Sequence, residues 1–105
     1  MAFSWRGFRQ RILVTYRPRY TPEAAAKIRK LHPEIKQRVR AAIDRLVSAP
    51  FQGHSLHGEL VGLRSLRVGK YRIIYSINDE DTTLDIFLVG PRRDIYEELR
   101  KHLMR

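Results

Sequence analysis

The stretch "VGKYRIIYS", residues 68–76, decides the fold because it holds a hairpin turn followed by a strand with an arginine inside it. Gly69 and Lys70 are predicted to form a two-residue loop, since glycine at the first loop position suits a type II′ turn. In that register Arg67 lies directly opposite Arg72. Packing alone would favour an aliphatic residue at position 72, so the pair of arginines needs an explanation.

Pleating sorts the side chains of this hairpin onto two faces. The face expected to cover the helices carries Leu66, Val68, Tyr71, Ile73 and Tyr75. Arg67 and Arg72 share the other face, where directly opposed like charges cost roughly 0.2–1 kcal/mol. Two interpretations remain open. An anion such as phosphate lies between the guanidinium groups, or one arginine extends to solvent while the other pairs with an acid such as Asp85.

Upstream of the hairpin, the period of the apolar residues changes twice. Residues 1–11 mix aromatic and arginine side chains without a period, so we expect a basic tail ahead of a single domain over 12–105. The alternation over 12–16 predicts a strand that ends at Pro18.

Two helices are expected next. Thr21, Pro22 and Glu23 supply an N-cap, a first-turn proline and a first-turn acid for a helix over 22–31. Pro33 ends this helix and begins another, whose apolar stripe is Ile35, Val39, Ala42, Ile43, Leu46 and Val47. The two helices form a hairpin.

The remaining chain is predicted to be mostly β. Residues 51–60 are expected to be a loop, and strands are predicted at about 62–68, 71–77 and 83–89. The last strand is apolar on both parities, with Leu84, Ile86 and Leu88 on one and Phe87 and Val89 on the other, which is typical of a central strand. Ile95, Leu99 and Leu103 then predict a final amphipathic helix. The order β-α-α-β-β-β-α describes an α+β fold in which a small twisted sheet, mostly antiparallel, packs on the helical hairpin.

Charge and composition narrow the partners. The 105 residues include 21 Lys and Arg and 11 Asp and Glu, which gives a net charge of +10. A field of this sign attracts polyanions, so nucleic acid is the first expected partner and an acidic protein the second. The lack of cysteine excludes disulfides and thiolate metal sites and fits a cytoplasmic protein. The apolar runs are too short to span a membrane.

A second basic cluster follows the last predicted strand. Arg92 and Arg93 begin it, and Tyr96 lies four residues after Arg92, so Arg92 and Tyr96 are expected on one face of the helix start. Together with the arginine hairpin, they are expected to build one concave surface.

The histidines give little indication of a metal-binding or acid–base site. His54, His57 and Glu59 share one loop and admit a metal or acid–base interpretation, but their spacing matches no common ligand set. We therefore expect no metal ion and no small-molecule cofactor.

The segments "GLRSLRVGKYRIIYSI" (62–77) and "IFLVGPRRDIY" (86–96) resemble the RelE/ParE superfamily of bacterial and archaeal toxins. The likeness extends over roughly residues 12–100 and includes the order of the elements. In the RelE branch, it implies cleavage of mRNA, mostly on the ribosome and without metal, and inhibition by a RelB-like antitoxin. The residues carried over as catalytic are Arg67, Arg72, Arg92 and Tyr96. Those expected to bind RNA are Arg64, Lys70 and Arg93.

One departure from the family pattern concerns the strand before the hairpin. The best-known RNA-cleaving members carry two lysines there, where this chain has Leu63 and Ser65. Arg64 or Lys70 are candidates to replace them. The resemblance also leaves two alternatives open, a ParE-like inhibitor of DNA gyrase and a binding module without catalysis.

Overall fold

The computed structural model describes residues 15–104 as helices packed on both faces of a sheet. Its strands are β1 (Arg17–Tyr20), β2 (His54–Ser55), β3 (Arg64–Val68), β4 (Tyr71–Asn78) and β5 (Thr83–Pro91). Its helices are α1 (Pro22–Lys30), α2 (Pro33–Ser48) and α3 (Ile95–Leu103). The predicted tail over 1–11 lies outside the described residues.

The strands form one sheet in the order β1-β5-β4-β3-β2. β1 runs parallel to β5, and every other neighbouring pair is antiparallel. This arrangement confirms the predicted α+β class. β2 was not predicted, since it lies inside the expected loop over 51–60 and has only two residues, of which His54 pairs with Ser65.

The first strand is displaced from its predicted position. The pattern placed it over 12–16, ending before Pro18, whereas β1 begins at Arg17 and contains Pro18. Residues 12–14 lie outside the described part of the chain. Proline is tolerated here because β1 is an edge strand, where a missing N–H breaks no interior ladder. Tyr16 instead donates its backbone N–H to the Val47 carbonyl at 2.9 Å.

The helical hairpin is confirmed, including both of its starts. The Ala24 N–H donates to Thr21 Oγ1 at 3.1 Å, which caps α1 as the sequence predicted. The Glu34 N–H donates to His32 Nδ1 at 3.4 Å at the start of α2. These local bonds define where each helix begins. The apolar stripes of α1 and α2 pack against the sheet in one core.

The β3–β4 turn also forms as predicted. Gly69 has a φ of +60°, and the register pairs Arg67 with Arg72 and Val68 with Tyr71. The expected separation of faces follows. Leu66, Val68, Ile73 and Tyr75 join the core under α1 and α2, the first core. Ile74, on the other face, packs with α3 in a second core.

A bulge at Phe87 corrects the parity predicted for β5. Ile86 pairs with Tyr75 and Leu88 pairs with Ile74, so Phe87 is an extra residue between them. Leu84 and Ile86 therefore pack in the first core while Leu88 packs in the second, although the pattern placed all three on one face. Burial of β5 on both faces is confirmed.

The predicted final amphipathic helix is confirmed as α3, but the last residue of its apolar stripe does not reach the core. Ile95 and Leu99 are buried, but Leu103 is 51% exposed. Eight residues of helix span about 12 Å, so Leu103 lies past the small second core, in which Leu60 and Leu88 also pack. None of the helices described over residues 15–104 is long and apolar enough to cross a membrane.

Asp85 fastens the edge strand to the sheet. Arg19 Nε donates to Asp85 Oδ1 at 2.8 Å and Arg19 Nη2 donates to Asp85 Oδ2 at 3.0 Å, across the β1–β5 pairing. These bonds from Arg19 are the main reason that the pKa of Asp85 lies below its ordinary value.

We predict that Asp85→Asn lowers the free energy of unfolding by about 0.5–1 kcal/mol at pH 7 in urea titrations, because the arginine is largely exposed and screened. A carboxylate whose pKa is depressed by folding stabilises the fold above its unfolded pKa and loses that contribution as pH falls through the folded pKa. The difference between wild type and variant should therefore vanish in acid. Glu80→Gln, at an exposed carboxylate, is the matched control, and an equal effect of both variants contradicts the prediction.

A candidate phosphate-binding site at the hairpin end of the sheet

Two of the predicted arginines lie in one row that crosses three strands. Arg67 on β3 pairs with Arg72 on β4, and Arg72 pairs with Gly90 on β5. All three positions lie on the sheet face that packs against α3. Gly90 is tightly covered, because a Cβ at this position would lie 2.9 Å from Ile95 Cδ1. The end of the sheet is therefore covered at β5 by α3 and carries cations on β4 and β3.

Arg92 reaches this end of the sheet through the backbone. Its N–H donates to the Lys70 carbonyl at 2.7 Å, which joins the turn after β5 to the loop of the β3–β4 hairpin. The sequence placed Arg92 and Tyr96 on one helical face, but α3 begins at Ile95 and Arg92 lies in the preceding turn. Arg92 thus approaches the arginine hairpin from the strand end rather than from the helix.

Arg67 and Arg92, but not Arg72, line a concave surface of about 810 Å³, the cationic concavity. It is lined by Arg67, Lys70, Arg92 and Arg93, together with Pro91 and Asp94. Within residues 15–104, none of its four cations forms an ion pair. Four cations against one carboxylate produce a strong local field for anions, since low-dielectric walls focus such a field.

The alternative explanation of the arginine pair, neutralisation by Asp85, does not hold. Asp85 forms its charged hydrogen bonds with Arg19 on the opposite side of β5 from the hairpin. Arg67 Nε donates to the Gly69 carbonyl at 3.2 Å, and its side chain remains exposed. The like-charged pair therefore lacks an internal counterion in the described part of the chain.

Arg72 is held by a buried serine. Its Nη1 donates to Ser65 Oγ at 3.1 Å, and the Tyr96 hydroxyl donates to the same oxygen at 3.2 Å. The Cζ of Arg72 lies 6.0 Å from the centroid of the Tyr96 ring, near the outer limit of a cation–π contact. Ser65 is fully buried, so it forms a rigid link between β3, β4 and α3. Tyr96 thus joins the site through Arg72 and is not a lining residue of the cationic concavity.

Ser65 was missed as a functional residue by the sequence reasoning, which treated its position only as a missing lysine. The predicted β3–β4 register already indicated that Ser65 lies near Arg72. Ser65 lies two residues before Arg67 and pairs with Ile74, so it shares the face of Arg72 and is its diagonal neighbour. A small hydroxyl at that place gives a guanidinium group an acceptor inside the sheet.

Arg64 does not reach the cationic concavity. It lies on the opposite parity of β3, where its guanidinium donates to Gly53 O at 2.6 Å and Ser55 Oγ at 3.0 Å, and its Cζ lies 5.1 Å from the centroid of Phe51. These contacts hold the segment before β2. Of the two residues considered as replacements for the missing lysines, only Lys70 lines the concavity.

The loop histidines do not assemble into a ligand set in the structure as described. No group of three His, Asp or Glu side chains suited to a metal ion occurs over residues 15–104. Glu59 accepts a bond from Arg100 Nε at 2.9 Å, which ties α3 to the turn before β3.

Comparison with known proteins places the chain in a family. A model described as "ParE toxin of type II toxin-antitoxin system, parDE" matches residues 19–96. The protein named Toxin RelG from Mycobacterium tuberculosis is 41% identical over 83 residues, which covers 77% of this chain and 95% of RelG. The chain therefore belongs to the RelE/ParE family of toxins of type II toxin–antitoxin systems.

Solved structures agree with this assignment. A chain in the crystal structure of the toxin–antitoxin complex RelBE2 from M. tuberculosis is 40% identical, with a TM-score of 0.70, covering 75% of this chain and 100% of that chain. The archaeal RelE–RelB complex from Pyrococcus horikoshii contains a chain that is 27% identical, with a TM-score of 0.62, covering 74% of this chain and 96% of that chain. The isolated Escherichia coli RelE toxin, 20% identical with a TM-score of 0.66, shares the fold; this match covers 84% of this chain and 98% of RelE.

We predict that Ser65→Ala lowers the free energy of unfolding by about 1–3 kcal/mol, because Arg72 and Tyr96 both lose their acceptor in a buried site. Urea titration followed by circular dichroism measures the loss. Ser76→Ala, at a half-buried strand serine without a side-chain hydrogen bond among the described residues, is the control. Equal stability of the two variants would show that the shared acceptor contributes nothing.

Proposed function

We propose that this toxin is an endoribonuclease that cleaves mRNA, acting on the ribosome and without a metal ion. The observation that carries the proposal is the cationic concavity, where Arg67, Lys70, Arg92 and Arg93 converge without an ion pair in the described chain. Arg72 pairs with Arg67 in the sheet and donates a hydrogen bond to Ser65. Guanidinium groups on a rigid sheet match the geometry of a backbone phosphate, because their donors form forks that bind two oxygens at once.

The reaction suits a site built mainly of arginine. In the proposed step, the ribose 2′-oxygen attacks the adjacent phosphorus while the bond from phosphorus to the 5′-oxygen breaks. The products are a 2′,3′-cyclic phosphate and a 5′-hydroxyl, and the proton lost from the 2′-hydroxyl is balanced by the proton gained at the leaving oxygen. RNA supplies the nucleophile itself. The protein must orient the chain and stabilise the negative charge that builds up on the phosphoryl oxygens.

The arginines divide these tasks by their positions. Arg67 and Arg72 stabilise the phosphoryl oxygens, since they stand opposite each other across the hairpin. Arg92 acts from the strand end, on the side of the leaving oxygen. The hydrogen bond from the Arg92 backbone N–H to the Lys70 carbonyl fixes the distance between Arg92 and the hairpin before substrate binds. Such preorganisation can contribute several kcal/mol to transition-state stabilisation.

Tyr96 serves as a positioning residue for Arg72. Its hydroxyl donates to Ser65 and its ring lies beside the Arg72 guanidinium. Both contacts orient the arginine, so positioning is the role of the tyrosine that the observed geometry supports.

A RelB-like antitoxin is the proposed protein partner. The RelBE2 and the Pyrococcus relatives were solved in complexes with antitoxins. An acidic segment crossing the cationic concavity would block the phosphate site. The net charge of +10 would accelerate its association by electrostatic steering.

Inhibition of DNA gyrase is the second candidate function, and two observations favour it. The family model that matches residues 19–96 is that of ParE. The positions of the missing lysines also cannot present a cation, since Leu63 packs in the second core and Ser65 is fully buried. The convergence of Arg67, Arg72 and Arg92 on one end of the sheet makes RNA cleavage the better supported function.

Mapping of RNA 5′ ends after induction in cells, alongside a gyrase assay, decides between the two. We expect new ends within translated frames for the wild-type protein. Arg67→Ala and Arg92→Ala should each reduce cleavage by about 100-fold, through loss of phosphoryl-charge stabilisation. Arg45→Ala, an equal charge change on the exposed face of α2, is the control and should retain activity. Linearised DNA without new RNA ends would select gyrase, and cleavage of a substrate with 2′-deoxyribose at the scissile position would refute the mechanism.

Tyr96→Phe tests the positioning role. Because the ring beside Arg72 is retained, we expect its cleavage rate to fall by less than about 10-fold, whereas Arg72→Ala should lose about 100-fold or more. Rates on one defined mRNA in a translation reaction measure both variants. Equally large losses would instead assign proton transfer to the tyrosine.

A further inference from the structure

A second hollow opens on the other side of the hairpin loop. It has a volume of about 340 Å³ and is lined by Ile35, Arg38, Val68, Gly69, Lys70 and Tyr71. Lys70 also lines the cationic concavity, so the two depressions adjoin at a single side chain. We call this depression the flanking hollow. Its walls combine an arginine, a tyrosine and two aliphatic side chains, whereas the cationic concavity has no aromatic wall.

Arg38 extends from α2 over the loop. A Cβ built on Gly69 would lie 3.3 Å from Arg38 Nη2 and 3.6 Å from its Cζ and Nη1, so the outer part of the guanidinium group occupies the space beside the glycine. Gly69 has a positive φ and no side chain, and both properties allow this approach. Arg38 is exposed and has no ion pair within the described residues, which leaves its charge available to an external anion.

Tyr71 provides an aromatic surface next to this charge. It is the first residue of β4, it pairs with Val68 across the hairpin, and it is half-buried. Because Tyr71 is paired in the sheet, its backbone is held in place. An aromatic side chain on a rigid strand close to an arginine is the combination by which proteins hold unpaired bases, through stacking and a phosphate contact.

We propose that the flanking hollow binds the nucleotide that follows or precedes the pair joined by the scissile phosphate, with its base on Tyr71 and its phosphate at Arg38. This inference rests on the proposed RNA-cleaving function. Lys70 contacts the backbone between the two subsites, since it faces both. The substrate chain therefore crosses the tip of the hairpin, from the cationic concavity over the loop to α2.

Binding of uncleavable RNA at two lengths tests this path. The probes are 2′-O-methyl oligonucleotides of mixed sequence, a dinucleotide and a decanucleotide, followed by fluorescence anisotropy at fixed salt. Arg38→Ala and Tyr71→Leu should weaken binding of the decanucleotide by about 5- to 100-fold, the range expected for one lost stacked base or one lost phosphate contact. Binding of the dinucleotide, which fills only the cationic concavity, should be unchanged. Tyr71→Phe should retain binding because it keeps the ring.

Arg45→Ala is the matched control, because it removes the same charge from the same exposed helix face at a residue that lines neither depression. If Arg45→Ala and Arg38→Ala weaken decanucleotide binding equally, the effect is one of net charge and the proposal fails. The proposal also fails if Arg38→Ala weakens binding of the dinucleotide and the decanucleotide equally. A third contrary outcome is that Arg38→Ala weakens binding of polyglutamate and leaves RNA binding unchanged, which would identify a site for an acidic protein. Failure of the proposed function is distinguishable, because mapping of RNA 5′ ends would then show no new ends in cells that express the wild-type protein, whatever the result for the oligonucleotides.

Discussion

The structure depends on a two-residue turn whose first residue has a positive φ. Gly69 adopts this conformation, and the resulting register sets Arg67 against Arg72. A shift by one residue would move every side chain of the hairpin to the opposite face. The two arginines would then enter the core under the helical hairpin, and Ile73 would be exposed. One backbone angle thus maintains the first core and the phosphate site together.

Because the sheet is covered on both faces, the site is confined to its end. α1 and α2 cover one face and α3 covers part of the other, where Ile95 and Leu99 form the second core with residues of β4 and β5. The bulge at Phe87 lets β5 supply apolar side chains to both cores. What remains open is the hairpin loop, the turn after β5 and the adjoining end of α2. Five cations that lack ion pairs in the described structure lie there, namely Arg38, Arg67, Lys70, Arg92 and Arg93, so a polyanion can reach a rigid surface at this place.

One arginine of the candidate site is supported by buried neighbours. A buried serine accepts bonds from Arg72 and Tyr96, and Arg64 is committed to the segment before β2. β3 therefore contributes an acceptor that orients Arg72, in addition to the cation of Arg67. An arginine whose rotamer is fixed before substrate binds stabilises a developing charge with less reorganisation.

The sequence by itself determined several features that depend mainly on neighbours along the chain. It determined the caps of α1 and α2, the Gly69 turn with its register, the placement of Arg67 and Arg72 on one face, and the burial of β5 on both sides. Only the tertiary structure decided that Pro18 lies in a strand, that Phe87 changes the parity of β5, and that Leu103 is exposed. It also decided that Ser65 joins Arg72 to Tyr96, that Arg64 faces away, and that Arg92 reaches the hairpin through the Lys70 carbonyl. Capping and turn formation are decided by bonds within a few residues, whereas a bulge, a shared buried acceptor or the edge of a core depends on segments distant in sequence, whose relative position no local pattern encodes.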